Sequence, residues 1–270
     1  MPITAIRRYS FEERIQRAEQ LSERWPFAAE ILHTYQLVLR FQHSLSLVVK
    51  NSKLGGYSDR RLPLEVDLSP FLHEFRSLLR ITTASASGEL AAAAKDAESI
   101  ESARWQQLLN AYWTDTYNHG TATDAFLLHA FLQPIAEHFA ANAEMLPPQQ
   151  RLPICPFCGR KPVCGVLRPE GDGAKRSLIC SFCNTEWDYR RLICPACEQE
   201  AIEKLPVYTA DEFAYIRVEA CDVCKAFVKT VDLTKDGRPI PIVDEIGSLP
   251  LTLWAEEKGY HKLQTNLLLM

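Results

Sequence analysis

Cysteine is missing from the first half of this chain, since none of the nine cysteines precedes residue 155. The chain also lacks a run of about 18 apolar residues, the length that spans a bilayer. Its beginning, "MPITAIRRYSFEERIQ", has no apolar core of a signal peptide. We therefore expect a cytoplasmic protein without membrane insertion. That compartment keeps thiols reduced, so the cysteines predict metal binding rather than a disulfide framework.

An excess of basic residues is absent as well. The formal net charge is -4 and the pI is about 6.0, whereas nucleic-acid binders usually have a basic domain or stripe. The composition therefore argues against a nucleic-acid partner. The chain also shows no phosphate-binding loop and no paired nucleophile and base, which predicts that it is not an enzyme. With 270 residues, 47% of them hydrophobic, it has the size and composition of a globular protein of two domains.

Residues 1–150 have the pattern of a helical domain. Ser10 and Glu13 form a capping-box signature at the start of the first helix, which stops at Pro26. The next apolar residues recur at helical spacing: Ile31, Tyr35, Val38, Phe41, Leu45 and Val48. A loop at Leu54–Leu64 then ends this second helix. Further helices are predicted at Ser69–Thr82, Glu98–Asp115 and Thr123–Glu144, with a short one at Leu90–Lys95.

One spacing in the helical domain is that of a di-iron site. Glu30 and His33 form a Glu-x-x-His pair, but a di-iron site needs a second such pair and two more glutamates. The chain has no second copy, so we interpret this pair as part of a polar stripe. His73, His129 and His138 occur singly and are interpreted in the same way.

The sequence pattern changes after a linker at Leu146–Pro153. Helical periodicity gives way to cysteine pairs, turns and short alternating runs. We predict an α+β fold: an N-terminal all-helical domain, two tandem rubredoxin-like or zinc-ribbon modules, and a short C-terminal helical tail. The predicted boundaries are 1–150, 151–193, 194–243 and 244–270.

Eight of the nine cysteines form four Cys-x-x-Cys pairs. Two thiolates at this spacing sit on one tight turn, and a tetrahedral zinc or iron ion needs two such turns. The predicted metal ligands are Cys155, Cys158, Cys180, Cys183, Cys194, Cys197, Cys221 and Cys224.

The spacing of the pairs favours one pairing over the others. The first and second pairs are separated by 21 residues, and the third and fourth pairs by 23. Only ten residues separate the second pair from the third. The two long gaps are close to the roughly 15–20 residues between the knuckles of a ribbon. "CPFCG…RSLICSFC" is also echoed by "CPAC…RVEACDVC", and one repeat unit implies one metal. We therefore expect the pairs to combine in sequence order; a nested or cross-braced arrangement is the alternative.

The residue after each second cysteine tends toward positive φ. Gly159 and Asn184 tolerate that conformation, but Glu198 and Lys225 fit it less well, so we expect the second site to be the looser. Two more residues have two interpretations each. Cys164 is interpreted as a buried small hydrophobe rather than a ninth ligand, and Trp187 as part of the core rather than a partner anchor.

The two modules have opposite charge. Residues 151–193 contain eight basic and four acidic residues, and residues 194–236 contain five and nine. Such neighbours could orient a partner by electrostatic steering, or could simply have solvated faces.

Several segments together are similar to one family. The chain resembles the formate dehydrogenase accessory protein family, FdhE, in "CPFCGRKPV", "RSLICSFCNTEW", "CPAC", "EACDVCKAFVK" and "DEIGSLPLTLWAEEKGYHKLQTN". In the helical half, "RAEQLSERWPFAAEILHTYQLVLRFQ" is also similar to it. Two positions depart from the family pattern: Asp188 replaces the usual His, and Leu267 replaces the Pro after Asn266.

The resemblance implies a function and a metal. It implies a cytoplasmic maturation protein that binds the catalytic subunit of a molybdenum-dependent respiratory formate dehydrogenase before export. It also implies two iron ions at the eight matching cysteines, with zinc as the alternative. The oligomeric state stays open, and a homodimer is one option. Two other functions stay open too: a small iron-tetrathiolate electron carrier, and a zinc-ribbon protein that binds nucleic acid through the basic residues of the first module.

Overall fold

The architecture is described from a computed structural model, which covers residues 8–52, 54, 61–86, 88–117, 120–143 and 152–270. Helix α1, Phe11–Arg24, begins at the predicted capping box: Glu13 N–H donates to Ser10 Oγ (3.1 Å) and Ser10 N–H donates to Glu13 Oε2 (2.8 Å). A short 3₁₀ turn, Pro26–Ala28, follows it. The predicted start and end of the first helix are confirmed.

Five further helices follow in the first half of the described chain. They are α2 (Ala29–Asn51), α3 (Leu72–Ser85, after a 3₁₀ turn at Ser69–Phe71), α4 (Gly88–Glu98), α5 (Ser102–Trp113) and α6 (Ala122–Asn142). The prediction that one helix runs from Glu98 to Asp115 is wrong at its start. Glu98 ends α4 and a turn separates it from α5, so the short helix predicted at Leu90–Lys95 is longer than expected.

The buried face of α2 differs slightly from the predicted one. Tyr35, Phe41 and Leu45 are buried as expected. Val48, however, is 41% exposed, while its neighbour Val49 is fully buried. Most of the predicted loop at 54–64 and most of the predicted linker at 146–153 lie outside the described residues.

The chain divides into two compact units. One contains residues 1–36, 145–268 and 270, and the other contains residues 37–144 and 269. Helix α1 therefore belongs to the unit with the cysteines, whereas the sequence placed it in a helical domain ending at residue 150. The boundaries predicted within the second half stay predictions. Among the described residues, no helix could span a bilayer.

The helical unit has a core of aromatic side chains. Phe75 contacts Trp105 and Phe131 edge-on, with ring centroids 4.7 and 5.0 Å apart. Trp113 packs against Phe139 in the same manner, at 5.9 Å. These contacts account by packing for five aromatic residues of α3, α5 and α6.

The other unit is built on one seven-stranded sheet. Its strands are β1 (Pro162–Glu170), β2 (Gly173–Cys180), β3 (Glu186–Asp188), β4 (Val207–Thr209), β5 (Ile216–Ala220), β6 (Ala226–Asp232) and β7 (His261–Lys262). The order is β3-β2-β1-β6-β5-β4, and β7 pairs with the start of β6. Strands β1–β3 come from the first cysteine module and β4–β6 from the second. The parallel pairing of Cys164–Leu167 in β1 with Lys229–Asp232 in β6 joins the two modules into a single sheet.

The C-terminal segment contains two helices before β7, α7 (Pro241–Gly247) and α8 (Leu249–Glu257). The predicted helical tail is thus present, and it also adds a strand to the sheet. Helix α7 packs against α1 through a buried ion pair. Arg17 Nη2 lies 2.5 Å from Asp244 Oδ1, and Tyr215 OH donates to the same carboxylate (2.9 Å).

Candidate metal centres

The structure brings the eight predicted ligands together as two groups of four cysteines. Within each group the sulfur atoms all lie within 4.8 Å of one another. The two groups are Cys155, Cys158, Cys180 and Cys183, and Cys194, Cys197, Cys221 and Cys224. This is the sequential pairing, and neither the nested nor the cross-braced arrangement occurs.

The same tight turn positions each cysteine pair. In the first, Cys155 N–H donates to the Arg160 carbonyl (2.8 Å) and Gly159 N–H donates to the Cys155 carbonyl (2.9 Å). The last turn repeats this, with Cys221 N–H donating to Ala226 (2.9 Å) and Lys225 N–H donating to Cys221 (2.8 Å). Each turn closes on a residue with left-handed φ: Gly159 (77°), Asn184 (52°), Glu198 (57°) and Lys225 (61°).

The distances between sulfur atoms fit a tetrahedral ion. A metal–sulfur bond of about 2.3 Å implies sulfur atoms about 3.8 Å apart. In the first group Cys158 Sγ lies 3.3 Å from Cys180 Sγ and 3.6 Å from Cys183 Sγ. In the second group Cys194 Sγ lies 3.7 Å from Cys224 Sγ, and Cys197 Sγ lies 3.7 Å from Cys221 Sγ. Each group is a four-cysteine metal-binding site, and all-thiolate ligands suit both zinc and iron.

Backbone amides point at the sulfur atoms. Phe182 N–H donates to Cys180 Sγ (3.3 Å), and Ala196 N–H donates to Cys194 Sγ (3.4 Å). Burial raises the pKa of the Cys155 and Cys180 thiols well above the usual value. Without a cation these thiols would stay protonated, so metal binding must release protons.

The two centres differ in exposure. Three cysteines of the first group are buried and Cys158 is half-buried, whereas in the second group Cys197 is exposed and Cys224 is half-buried. In the second turn of this group the tip residue Val223 is 56% exposed. The second centre is therefore the more open to solvent, and the expectation that it is also the looser site stays a prediction.

Two neighbouring residues have the structural roles predicted for them. Cys164 lies in β1, is fully buried and belongs to neither group. Trp187 in β3 is 5% exposed, and its Nε1–H donates to the Leu152 carbonyl (2.8 Å). Elsewhere in the described ranges, Glu30, His33, His73, His129 and His138 are part of no metal-ligating cluster.

The first module and the second both match one family. A model of the FdhE central domain matches residues 154–191, and a model of the FdhE C-terminal domain matches residues 192–269. A curated Protein FdhE homolog from Aquifex aeolicus (strain VF5) is 29% identical over 268 residues, which cover 94% of this chain and 93% of that protein. Protein FdhE of Escherichia coli (strain K12) is 27% identical over a match that covers 95% of this chain and 86% of that protein. The crystal structure of the FdhE protein from Pseudomonas aeruginosa superposes with a TM-score of 0.74 at 25% identity, covering 96% of this chain and 95% of that chain.

The cysteine-bearing half of this chain matches the FdhE family, and the whole chain resembles FdhE proteins. The resemblance inferred from its cysteine turns and its C-terminal segment is therefore confirmed, together with the mixed α+β fold. The coverage shows that the likeness includes the helices as well as the two four-cysteine sites.

The two departures from the FdhE pattern have distinct surroundings. Asp188, in place of the usual His, ends β3 and forms an ion pair with Lys175 (2.7 Å). Leu267 is 4% exposed. Asn266 is retained, and its Nδ2–H donates to Glu245 Oε2 (2.8 Å). At position 188, therefore, a carboxylate is neutralised by a lysine from the adjacent strand.

The C-terminal tail contacts the last cysteine turn of the second metal centre. Tyr260 OH donates to Asp222 Oδ1 (2.9 Å), and Asp222 lies inside the last Cys-x-x-Cys turn. His261 N–H donates to the Lys225 carbonyl (2.8 Å) just after that turn. Gly259, at a φ of 82°, lets the chain leave α8 and reach this position. These hydrogen bonds hold the tail against the last cysteine turn.

A buried charge cluster was not predicted from the sequence. Glu245 has no exposed side-chain surface, and its Oε1 lies 3.1 Å from Lys229 Nζ. Lys262 Nζ donates to the same oxygen. Lys229, 1% exposed within the alternating run of β6, was the one available sign, since a lysine amid buried strand positions needs a partner.

Proposed function

We propose that this protein is a cytoplasmic maturation factor and not an enzyme. In this proposal it binds the catalytic subunit of a molybdenum-dependent respiratory formate dehydrogenase and is needed for that enzyme's activity. The likeness to FdhE proteins along 94% of the chain is the observation that carries the proposal. The closed four-cysteine sites support a non-catalytic role, because catalytic metal sites keep a coordination position open.

We assign two iron ions as the native metals, with zinc as the alternative. The residues that would hold the first ion are Cys155, Cys158, Cys180 and Cys183, and the second would be held by Cys194, Cys197, Cys221 and Cys224. A bound ion would supply folding free energy to both modules and, if it is iron, a one-electron centre. The chain's own part is to fix four thiolates and direct backbone amides at them.

The deciding experiment is a pull-down from the native organism grown with formate. The tagged protein is expected to retain a formate dehydrogenase catalytic subunit, and a strain without its gene is expected to lose formate oxidation. The control is the tagged protein with Cys180→Ala and Cys183→Ala, which should not restore activity. Normal formate oxidation in the deletion strain would overturn the proposal.

An electron-carrier role is the second candidate, and the exposure of the second centre favours it. Cys197 is exposed, and electron transfer needs a centre close to the surface of the protein. With iron bound, reversible bleaching of the visible absorbance on reduction would support this role. Zinc at both sites of the native protein would exclude it.

Nucleic-acid binding has less support. Four basic residues of the first module form ion pairs: Arg168 with Glu186, Lys175 with Asp188, Arg176 with Glu219 and Arg190 with Glu200. Each of these ion pairs lowers the positive potential that a phosphate backbone would meet. Salt-sensitive binding to mixed nucleic acid would revive this alternative.

A further inference from the structure

A cleft opens beside the second metal centre, within the sheet-bearing unit. Its volume is about 230 Å³, and residues 194–196 of the third cysteine turn form part of its wall. Its apolar floor includes Ala220, Phe227 and Val228 from β5 and β6, which are 4%, 1% and 2% exposed. The floor is thus part of the packed sheet and gives the cleft a fixed shape.

The rim of the cleft exposes apolar side chains. Leu192 is 50% exposed and Val207 is 46% exposed, and both line the cleft. Leu192 also has a φ of 57°, a left-handed conformation that is strained for a non-glycine residue. Residues held in strained backbone conformations cluster at binding and active sites. An exposed leucine held in a strained conformation at the mouth of a cleft points to a binding role.

Charged groups of the cleft are predominantly cationic. Arg176, Arg191 and Arg217 line it together with a single carboxylate, that of Glu219. Two of the arginines share this carboxylate, each with a nitrogen 2.6 Å from one of its oxygens. Arg176 Nε is buried and has no hydrogen-bond partner. The cleft thus has more guanidinium groups than its own carboxylate can satisfy.

Arg191 is the cation available to a ligand. It is exposed, and it forms no hydrogen bond or ion pair within the part of the chain that the structure describes. Its neighbour Arg190 does not line the cleft and instead pairs with Glu200 (3.1 Å). A four-thiolate centre with bound metal is anionic, so an incoming carboxylate would meet the guanidinium at the rim rather than the wall beside the metal.

We propose that this cleft binds a peptide segment of a partner protein in which acidic and apolar side chains alternate. A carboxylate of the segment pairs with the Arg191 guanidinium, whose planar fork matches carboxylate geometry. Neighbouring apolar side chains cover Leu192 and Val207 and are removed from water. That the cleft binds such a peptide does not depend on the function proposed above. That the peptide belongs to a formate dehydrogenase catalytic subunit does rest on that proposed function.

Fluorescence anisotropy with a fluorescein-labelled peptide of alternating leucine and aspartate tests the site on the full, metal-loaded chain. The parent should bind it, and Arg191→Glu should weaken binding by about tenfold or more, because it places a carboxylate against the ligand's. Arg190→Glu changes the net charge equally outside the cleft and should bind as the parent does. No binding by the parent, or an equal loss in both variants, would overturn the proposal.

The catalytic subunit is tested with the same variants. If the parent and Arg190→Glu retain the subunit and Arg191→Glu loses it, the cleft is the recognition surface. Equal retention by all three chains would refute the cleft as that surface and leave the proposed function standing. If the parent retains no subunit, the proposed function fails, and the peptide measurement still decides whether the cleft is a binding site.

Discussion

Glu245 connects three segments of the chain at the scale of a single side chain. It lies in α7, accepts hydrogen bonds from Lys262 and Asn266 of the tail, and forms an ion pair with Lys229 of β6. Burial opposes ionisation of this carboxylate, but the two lysines outweigh it and lower the pKa of Glu245 to about 2. The side chain is therefore ionised, and its charge compensates the buried charges of Lys229 and Lys262.

Replacing Glu245 by glutamine should destabilise the fold strongly. Glutamine has nearly the same shape but leaves Lys229 and Lys262 without a counter-charge, and breaking a buried pair costs about 3–5 kcal/mol. The free energy of unfolding, measured by urea denaturation at pH 7, should fall by about that amount in Glu245→Gln. The matched control is Glu256→Gln, at an exposed position of α8, which should unfold like the parent.

The effect of Glu245 should depend on pH in a known direction. Its folded pKa, about 2, lies below the usual 4.5, so its stabilisation is fully present above pH 4.5 and is lost as the pH falls through 2. The difference in stability between parent and Glu245→Gln should narrow over this window. A difference that is unchanged at pH 3 would show that the charge of Glu245 is not its source. A difference below about 1 kcal/mol at pH 7 would contradict the predicted cost of leaving the two lysines unpaired.

Glu198 closes the third cysteine turn in a left-handed conformation, with φ at 57°. Glycine adopts this conformation without steric cost, whereas other L-residues lose about 1 kcal/mol or more. Glu198→Gly should therefore tighten metal binding at the second centre by several-fold. Competition with a chromogenic chelator measures this affinity.

The companion variant Glu198→Ala separates backbone from charge. Alanine removes the carboxylate but retains the strain, so its metal affinity should stay close to that of the parent. Equal gains in the two variants would mean that the anionic side chain, and not the backbone, weakens the site.

The properties of single residues could be predicted only where they depend on neighbours in the sequence. The left-handed positions follow from the cysteine turns, which span five residues, and Gly159 and Asn184 are suited to them. Glu245 could not be predicted, because its partners lie 16 and 17 residues away in two other elements. Only the folded sheet and tail bring those charges together.

At the scale of elements, strand β1 determines how the two cysteine modules depend on each other. It follows the first cysteine turn and pairs with both β2 and β6. Cys180 ends β2, so the first metal fixes the far end of the same hairpin. Loss of that metal should therefore loosen β1 and, through β1, the edge of β6.

The double variant Cys180→Ala and Cys183→Ala should bind one metal per chain instead of two. Metal binding is folding free energy in such small modules, so the first module should unfold. Hydrogen exchange should show loss of amide protection in β1–β3 and weaker protection in β6. Metal content is measured by elemental analysis of the purified chain.

Cys164→Ala is the control for removing a thiol from the same sheet. Because Cys164 belongs to neither group, that variant should keep both metals. A double variant that melts like the parent and retains both metals would refute the assignment of the ligands.

The sequence predicted elements best where their ends have local chemistry. The capping box predicted at Ser10 defines the start of α1. Helix α6 was predicted to begin at Thr123 and begins at Ala122, after a capping box at Thr121 that was not predicted. The division between α4 and α5 was missed, because "AESIES" has neither proline nor glycine to mark it. The joining of the two modules into one sheet depends on pairing between residues more than sixty positions apart, and no local pattern encodes it.

At the scale of the whole molecule, helix α1 lies in the same compact unit as helices α7 and α8 near the other end of the chain. Helix α1 carries a fully formed capping box and an amphipathic pattern, and this pattern is the same whether its apolar face meets helices or a sheet. The sequence therefore placed α1 correctly as a helix but with the wrong neighbours. Its true neighbour is α7, through the ion pair of Arg17 with Asp244, 227 residues apart.

Replacing Arg17 by methionine tests this long-range connection. Methionine fills much of the volume but leaves the fully buried Asp244 carboxylate without its cation, so the sheet-bearing unit should lose about 3–5 kcal/mol of stability. Hydrogen exchange should rise at α7 and at Tyr215, far from position 17 in sequence, while the helical core around Phe75 keeps its protection. The control Glu19→Ala, at an exposed position on α1, should leave both regions unchanged. Loss of protection confined to α1 would mean that this helix only covers the unit, and that the sheet and its two metal centres hold together without it.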